Sequence, residues 1–203
     1  MGKFMKGQTE RENTARGKII FLNGVSSSGK TTLARKLQER LEEPFFLFQL
    51  DIFFEMMRMP ENCYAYSDNN GMYDHDKWLQ IENKILSAFH HTIKTFADMG
   101  FHTIVDRVFI EQKYVELFHE YLVLFVLVTC PLEELRRREK ERGDRDIGQG
   151  ESQLAELNPQ DTYDITVDTH NNTSEECADK IIEMLNYPDK WTAFKTLWEQ
   201  RTV

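Results

Sequence analysis

A short glycine- and serine-rich stretch, GVSSSGKT at Gly24–Thr31, suits phosphate binding because it matches the pattern G-x-x-x-x-G-K-T. Gly24 and Gly29 allow backbone conformations in which successive N–H groups point at one anion. The helix predicted to begin near Lys30 adds the positive end of its dipole at the same place. The lysine side chain can reach the β- and γ-phosphates of a nucleotide, and the Thr31 hydroxyl can ligand Mg²⁺.

The context of this stretch distinguishes a phosphate-binding loop from a serine-rich turn whose lysine merely faces water. An apolar, strand-like run precedes it and an amphipathic helical pattern follows it. The sequence therefore predicts that the loop binds a nucleoside triphosphate together with Mg²⁺. The predicted nucleotide-binding positions of the loop are Gly24, Val25, Ser26, Ser27, Ser28, Gly29, Lys30, Thr31 and Thr32.

Two aspartates follow predicted strands, where ligands bind in an open parallel sheet. Asp51 ends the run Phe45–Asp51 and could orient a substrate hydroxyl or accept its proton; capping the next helix is the alternative. Asp106 ends the run Phe101–Asp106 and could hold Mg²⁺ directly or through water. A strand-end cap or an ion pair with Arg107 is the alternative for this second carboxylate.

The densest basic segment of the chain is RRREKERGDR, at Arg136–Arg145. Arg138 and Arg142 lie four positions apart on one helical face, and Arg145 follows a Gly-Asp break. Arginine matches phosphate oxygens and stabilises the charge of a phosphoryl group in transfer. Interleaved glutamates make a salt-bridged surface helix the alternative. With a phosphate-binding loop elsewhere in the chain, we favour a mobile helical lid at about 131–150 that carries these arginines.

Apolar strand-like runs alternate with helical patterns along the chain, which predicts an α/β fold with a parallel sheet covered by helices on both faces. We expect the P-loop NTPase fold with a five-stranded parallel sheet, residues 1–17 as a flexible tail and residues 18–203 as a single domain. The five predicted strands are Lys18–Asn23, Phe45–Asp51, Phe101–Asp106, Tyr121–Thr129 and Tyr163–Thr169.

Composition narrows the function classes. The chain of 203 residues has a formal net charge of -9, which disfavours binding to nucleic acid or an anionic membrane. Its three cysteines are dispersed without C-x-x-C spacing, so we expect a reducing, cytoplasmic environment and neither a disulfide framework nor a zinc site. The longest apolar run, Tyr121–Cys130, is too short to span a bilayer. Nothing in the sequence decides the oligomeric state.

The absence of an N-K-x-D guanine signature argues against a GTPase switch. A kinase that transfers phosphate to a small molecule is the remaining interpretation. An ATP-dependent regulatory switch, whose lid would close on a partner, is the non-enzymatic alternative. Asp51 argues against that alternative, because a switch needs no carboxylate that activates a hydroxyl.

The chain resembles the chloramphenicol phosphotransferase-like family of P-loop kinases from about Ile19 to Ile182. The matching motifs, in order, are LNGVSSSGKTTLARKLQ, the LD at Asp51, TIVDRVF, RREKERGDR and YDITVDT followed by ECA. The resemblance implies transfer of the γ-phosphate of ATP to a hydroxyl group of a small molecule. It implies that Asp51 acts as base, that Arg138, Arg142 and Arg145 belong to the lid, and that Lys30 and Thr31 serve the phosphates and Mg²⁺.

Two departures from the family pattern concern the phosphate acceptor. Arg107 stands where the founding enzyme of the family has a second acidic residue. Residues 52–76, which should line the acceptor pocket, also differ in length and character. These departures argue against chloramphenicol itself as the acceptor. A nucleotide-sugar kinase of the zeta-toxin-like type, or a kinase of another metabolite such as a sugar or adenylylsulfate, is the alternative.

Overall fold

The structure, a computed structural model, describes residues 16–57, 75–143, 147–157 and 162–200. Residues 1–15 of the predicted tail lie outside these ranges, and Gly17 donates its backbone N–H to Ala97 O at 2.8 Å. No helix in the described ranges is long and apolar enough to cross a membrane. The strands are β1 (Ile19–Asn23), β2 (Phe45–Gln49), β3 (His102–Arg107), β4 (Val123–Thr129) and β5 (Ile165–Asp168).

These five strands form one parallel sheet in the order β2-β3-β1-β4-β5, as predicted. The α-helices are α1 (Lys30–Arg40), α2 (Leu50–Glu55), α3 (His75–Asp98), α4 (Gln112–Phe118), α5 (Leu132–Arg142), α6 (Gln149–Gln153), α7 (Ser174–Met184) and α8 (Ala193–Gln200). Short 3₁₀ turns lie at Leu154–Glu156 and Pro188–Lys190.

Local sequence signals explain several helix ends. Thr173 caps α7 in a capping box with Glu176, in which each residue accepts a hydrogen bond from the backbone N–H of the other. Gly100, two residues after α3, has φ 88°, and Gly143, just after α5, has φ 68°. Both positions are left-handed, where glycine carries no Cβ penalty, so the chain can turn away from the helix.

The sheet separates two apolar cores because alternate residues of each strand face opposite sides. On one face, Phe21 and Phe125 contact α8 at Phe194, and the same core includes residues of α3 and α4. On the other face, Ile20 and Leu22 pack in the core that α1 and α7 complete. All five residues of β1 are buried, which is typical of a central strand in a sheet covered on both sides.

One predicted boundary was wrong in a way that bears on the site. β2 ends at Gln49, and Asp51 is the second residue of α2 rather than the last residue of a strand. Gln49 caps that helix and pairs in register with Asp106. Asp106 in turn is the penultimate residue of β3, which continues to Arg107. Periodicity did not predict the turn into α2 because the apolar run continues through it.

His90, fully buried on α3, is a polar group inside the first core. Its Nδ1 lies 2.7 Å from the carbonyl oxygen of Leu86, which can only accept, so Nδ1 carries the proton. The ring stacks on Tyr114 with centroids 3.6 Å apart. Burial, and then the charge of Arg107, lower the pKa of His90 from 6.5 to about 3.

We therefore expect an acid-sensitive fold. The unfolded chain takes up a proton on this imidazole near pH 6.5 and the folded protein only near pH 3, so stability falls as pH falls through that interval. The His90→Phe variant keeps an aromatic ring against Tyr114 but has no group to protonate. Between roughly pH 6 and 4, the slope of its free energy of unfolding against pH should be smaller than that of the parent protein by about 1.4 kcal/mol per pH unit. Urea unfolding across that range measures it.

His91 provides the matched control, since it is exposed and adjacent on the same helix. The His91→Phe variant should keep the slope of the parent protein. Equal slopes for the parent and His90→Phe would show that His90 does not resist protonation in the folded state.

Candidate functional site

The predicted phosphate-binding loop lies between β1 and α1, at the carboxyl end of the central strand. A Cβ added to Gly24 would lie 2.5 Å from the carbonyl oxygen of Val128, so only glycine fits where the loop leaves the sheet. Gly29 has φ 93° and is the N-cap of α1. The two glycines of the motif are thus required by a close approach and by a left-handed backbone, respectively.

The loop residues hold one another in place. The Lys30 side chain is 7% exposed, and its Nζ donates to the carbonyl oxygen of Val25 at 2.8 Å. Val25 itself packs in the interior, and Ser28 is fully buried. The N-terminal end of α1 and the lysine ammonium therefore lie together at the loop, where both would attract an anion.

Asp106 lies directly across from this turn. Its Oδ2 accepts a hydrogen bond from the Thr31 hydroxyl at 2.6 Å and from Gln49 Nε2 at 3.4 Å. Arg107, the alternative partner considered for this carboxylate, pairs instead with Glu111. The hydroxyl and the carboxylate form a set of oxygen donors, the ligand type that Mg²⁺ prefers. No cluster of three or more histidine, cysteine, aspartate or glutamate side chains suited to a metal occurs in the described ranges.

Helix α5 brings Arg138 to the loop. Arg138 Nη1 donates to the carbonyl oxygen of Ser27 at 3.3 Å, and Nη2 donates to that of Thr169 at 2.9 Å. The Thr169 hydroxyl donates in turn to Ser28 O at 2.6 Å. Arg138 is thereby seated on the backbone of the loop and of the segment after β5. The sequence placed Thr169 at the end of the fifth predicted strand and in the motif YDITVDT, but it gave this residue no role in the site.

The glutamates of α5 partly support the surface-helix alternative. Hydrogen bonds from Arg137, and then from Arg138, lower the pKa of Glu134 to about 2. Arg137 also pairs with Glu141 and is exposed, as expected of a solvated face. The helix therefore has a salt-bridged outer side and, at Arg138, a side directed to the loop. Arg145 lies outside the described residues.

Helix α6 closes the other side of the loop through contacts that the sequence did not reveal. Gln153 Oε1 accepts the backbone N–H of Ser26 at 2.7 Å. Glu139, 1% exposed, accepts the N–H groups of Gly148 and Gly150 at 2.8 and 2.7 Å. These hydrogen bonds connect α5 and α6 to each other and to the loop. Only the fold could show them, since Ser26 and Gln153 lie 127 positions apart and no local motif relates Glu139 to the two glycines.

One cavity of about 710 Å³ joins these parts. Its wall includes Lys30, Thr31 and Thr32 of α1 and Arg138 and Arg142 of α5. The opposite side is formed by α2, α3 and the segment after β3. The lining residues on that side are Gln49, Leu50, Asp51, Glu82, Leu86, Asp106, Arg107, Val108, Phe109 and Glu111. Asp51 is exposed to this cavity and, despite lying on α2, shares it with the phosphate-binding loop.

Comparison with known proteins shows the family of the chain. Residues 17–186 match the profile of the family described as chloramphenicol phosphotransferase-like protein. A Mycobacterium tuberculosis protein with the provisional name O-phosphotransferase is 29% identical over 170 residues, which cover 75% of each chain. The adenylyl-sulfate kinase of Clostridium acetobutylicum is 26% identical over 193 residues, which cover 90% of each chain.

Solved structures share the fold. A sugar kinase from Janibacter sp., unliganded, has TM-score 0.59 and 23% identity over 87% of this chain and 99% of its own. The Mycobacterium tuberculosis APS kinase in complex with AMPPNP and APS has TM-score 0.57 and 18% identity over 84% of this chain and 98% of its own. The predicted family and small-molecule kinase class are confirmed: the chain belongs to the chloramphenicol phosphotransferase-like family of P-loop kinases.

Proposed function

We propose that the protein transfers the γ-phosphate of ATP to a hydroxyl group of a small molecule. The observation that carries this proposal is the shared cavity, whose wall includes both the predicted phosphate-binding loop and Asp51. Phosphoryl transfer requires chiefly that two substrates be positioned and that their charge be neutralised. A cavity with a cationic nucleotide side and a carboxylate near the acceptor side meets both requirements.

On the nucleotide side, Lys30 is assigned to the β- and γ-phosphates. Its ammonium bonds the loop carbonyl of Val25, an interaction that a phosphate oxygen can replace at short range. Thr31 and Asp106 would hold Mg²⁺ together with phosphate oxygens, which fits a site with one carboxylate and one hydroxyl. When bound, the ion neutralises charge on the phosphates.

On the acceptor side, Asp51 is assigned to the reacting hydroxyl. The residue lies in the first turn of α2, exposed to the cavity, so its carboxylate can accept the proton of a hydroxyl that attacks the γ-phosphate. The transition state is loose, so this proton leaves late and the carboxylate serves mainly to orient the hydroxyl.

Arg138 and Arg142 are assigned to the charge that spreads over the transferring group. Both line the cavity, four positions apart on α5. We propose that the segment 131–150 moves as a lid, with Glu139 tying α6 to α5 so that both helices shift together. Arg145, outside the described residues, is included in this lid on the family pattern alone.

The first prediction concerns Asp51. The Asp51→Asn variant keeps size and polarity but cannot take a proton, so turnover should fall by about 10²–10⁴-fold while ATP affinity stays nearly constant. Steady-state kinetics and ATP titration measure the two quantities. Glu55→Gln, an exposed change on the same helix outside the cavity wall, is the control and should change neither. Unchanged turnover in Asp51→Asn would remove this residue from the mechanism.

A second prediction concerns the connection between α5 and α6. In the Glu139→Gln variant, one carboxylate oxygen becomes an NH₂ group that faces a backbone N–H. The loss of this hydrogen bond should destabilise the connection between α5 and α6 by about 1–3 kcal/mol. Amide exchange at Gly148 and Gly150 should become faster and turnover should fall. Glu133→Gln, an exposed change on the same helix, should leave exchange and turnover as they are. Slow exchange in Glu139→Gln would contradict the proposed tie.

The decisive experiment for the function is a transfer assay with Mg·ATP and hydroxylated acceptors, read by mass spectrometry. The panel contains chloramphenicol and other antibiotics, nucleotide sugars, sugars, nucleosides and adenylylsulfate. A product heavier by one phosphoryl group, absent with Asp51→Asn, supports the proposal and identifies the acceptor. ATP turnover that a protein partner stimulates and small molecules do not would favour a regulatory switch instead.

A further inference from the structure

Helix α6 lies directly against the phosphate-binding loop at one residue, Ser26, which is 7% exposed. A Cβ added to Gly150 would lie 2.9 Å from the carbonyl oxygen of Ser26, so α6 approaches the loop backbone more closely than a residue with a side chain allows. On the other side of the same residue, Gln153 Oε1 accepts the Ser26 N–H at 2.7 Å. Helix α6 therefore contacts both backbone polar groups of Ser26.

The hydrogen bond to Ser26 fixes the orientation of the Gln153 side-chain amide. A backbone N–H can only donate, so the atom that it meets is the amide oxygen, and the other end of the amide is the NH₂ group at Nε2. The bond lengths of an amide place Nε2 no more than about 5 Å from the Ser26 nitrogen. The structure thus places two N–H donors beside the loop backbone.

These donors are open to a ligand. Gln153 is partly buried and lines the same cavity as Lys30 and Thr31. Its Nε2 forms no hydrogen bond with another described residue, and it does not belong to the buried, unpartnered side-chain atoms of the described ranges. The NH₂ group is therefore accessible as well as unpartnered.

The position of Gln153 does not depend on its own hydrogen bond alone. Glu139 of α5, 1% exposed, accepts the N–H groups of Gly148 and Gly150 at the start of α6. Arg138, also on α5, donates to the carbonyl oxygen of Ser27 at 3.3 Å. Because α5 and α6 are tied to each other and to adjacent loop residues, the amide is held ready for a ligand, which reduces the entropy that binding costs.

The chemistry of this donor pair suits a phosphate oxygen. A neutral amide N–H that donates to an anionic oxygen forms a charge-assisted hydrogen bond, stronger than one between neutral groups. The neighbouring loop is the segment assigned to the nucleotide phosphates, so phosphate oxygens are the acceptors that would come within reach. The amide adds hydrogen bonds there without adding charge, unlike Lys30 and the arginines of α5.

We propose that Gln153 is a further residue of the phosphate site. Its Nε2 donates to an oxygen of the nucleotide phosphates while its Oε1 keeps the Ser26 N–H, and Gly150 is the positioning residue that lets α6 come close enough. This inference rests on the nucleotide binding of the proposed function. It goes beyond that function by adding a residue that belongs neither to the loop motif nor to the arginine-rich segment.

Two substitutions separate contact with phosphate from support of the loop. Gln153→Glu keeps an oxygen for the Ser26 N–H but replaces the NH₂ group by an oxygen that repels phosphate. Gln153→Met keeps the length of the side chain and loses both interactions. We expect each variant to raise the Kd of Mg·AMPPNP by about ten- to a hundredfold, with Gln153→Glu affected at least as much as Gln153→Met. Calorimetric titration of the full chain measures the Kd.

The order of the two effects decides the role. If Gln153 only supported the loop, Gln153→Glu would bind like the parent protein and Gln153→Met would bind more weakly. That result, or an unchanged Kd in either variant, overturns the inference. Ser152→Ala, an exposed change on the same helix outside the cavity wall, is the matched control and should bind AMPPNP like the parent.

The proposed function fails through different readouts. A parent protein that binds no AMPPNP would overturn the proposed function and this inference together. A parent that binds it, with the expected losses in both variants but no phosphate transfer to any acceptor, would count against the kinase and leave Gln153 in the phosphate site.

The role of Gly150 has its own test. In Gly150→Ala, the added methyl group meets a backbone oxygen, so α6 must move away from Ser26 and take Gln153 with it. Amide exchange at Ser26 should become faster in the nucleotide-free protein, and the Kd of Mg·AMPPNP should rise by about tenfold or more. Thermal unfolding first establishes that the variant folds. Unchanged exchange at Ser26 in the folded variant contradicts the positioning role.

Discussion

The position of β1 between β3 and β4 is the constraint on which the rest of the site depends. All five of its residues are buried, and it pairs in parallel with a strand on each side. Because parallel strands end at the same edge of a sheet, the loop after β1 must emerge beside Asp106 on one side and beside Val128 on the other. The close approach of Val128 O then leaves room only for glycine at position 24.

The loop that emerges there is held by groups that a nucleotide could also engage. Lys30 bonds Val25 O, the Ser26 N–H bonds Gln153, and Arg138 bonds Ser27 O. Each of these bonds satisfies a buried or partly buried polar atom, as the interior of a protein demands. Binding of a triphosphate would exchange some of them for charge-assisted bonds of comparable geometry, so the loop needs little rebuilding to accept its ligand.

The cavity is electrostatically divided. Lys30, Arg138 and Arg142 line the side of the loop and α5 together with one carboxylate, Glu141, whereas carboxylates dominate the side of α2, α3 and the segment after β3. This division puts the cationic side chains on the side of the cavity that includes the predicted phosphate-binding loop. In an acidic chain with net charge -9, such a cationic half has to be gathered locally, and α5 does this with one of its faces.

Much of the fold was open to prediction from sequence. The alternation of buried strands and amphipathic helices predicted five parallel strands, and the glycine spacing of the phosphate-binding loop predicted its place between β1 and α1. These features are local, because periodicity and turn chemistry act within a few residues. Strand ends and helical spacing also singled out Asp106, Arg138 and Arg142, and all three line the same cavity, while their roles stay predictions.

Tertiary structure alone decided what those side chains touch. The end of β2 at Gln49 put Asp51 on a helix, and Arg107 paired with Glu111 rather than Asp106. The local sequence pattern did not indicate the hydrogen bonds of Glu139 to α6 or of Thr169 to the loop. It also did not indicate that Glu82 lines the cavity. The sequence by itself determined which helices and strands form, and it predicted that the functional residues lie at the carboxyl ends of the strands. Hydrogen-bond partners and shared cavities depend on distances between residues far apart in the chain, and only the packed fold sets those distances.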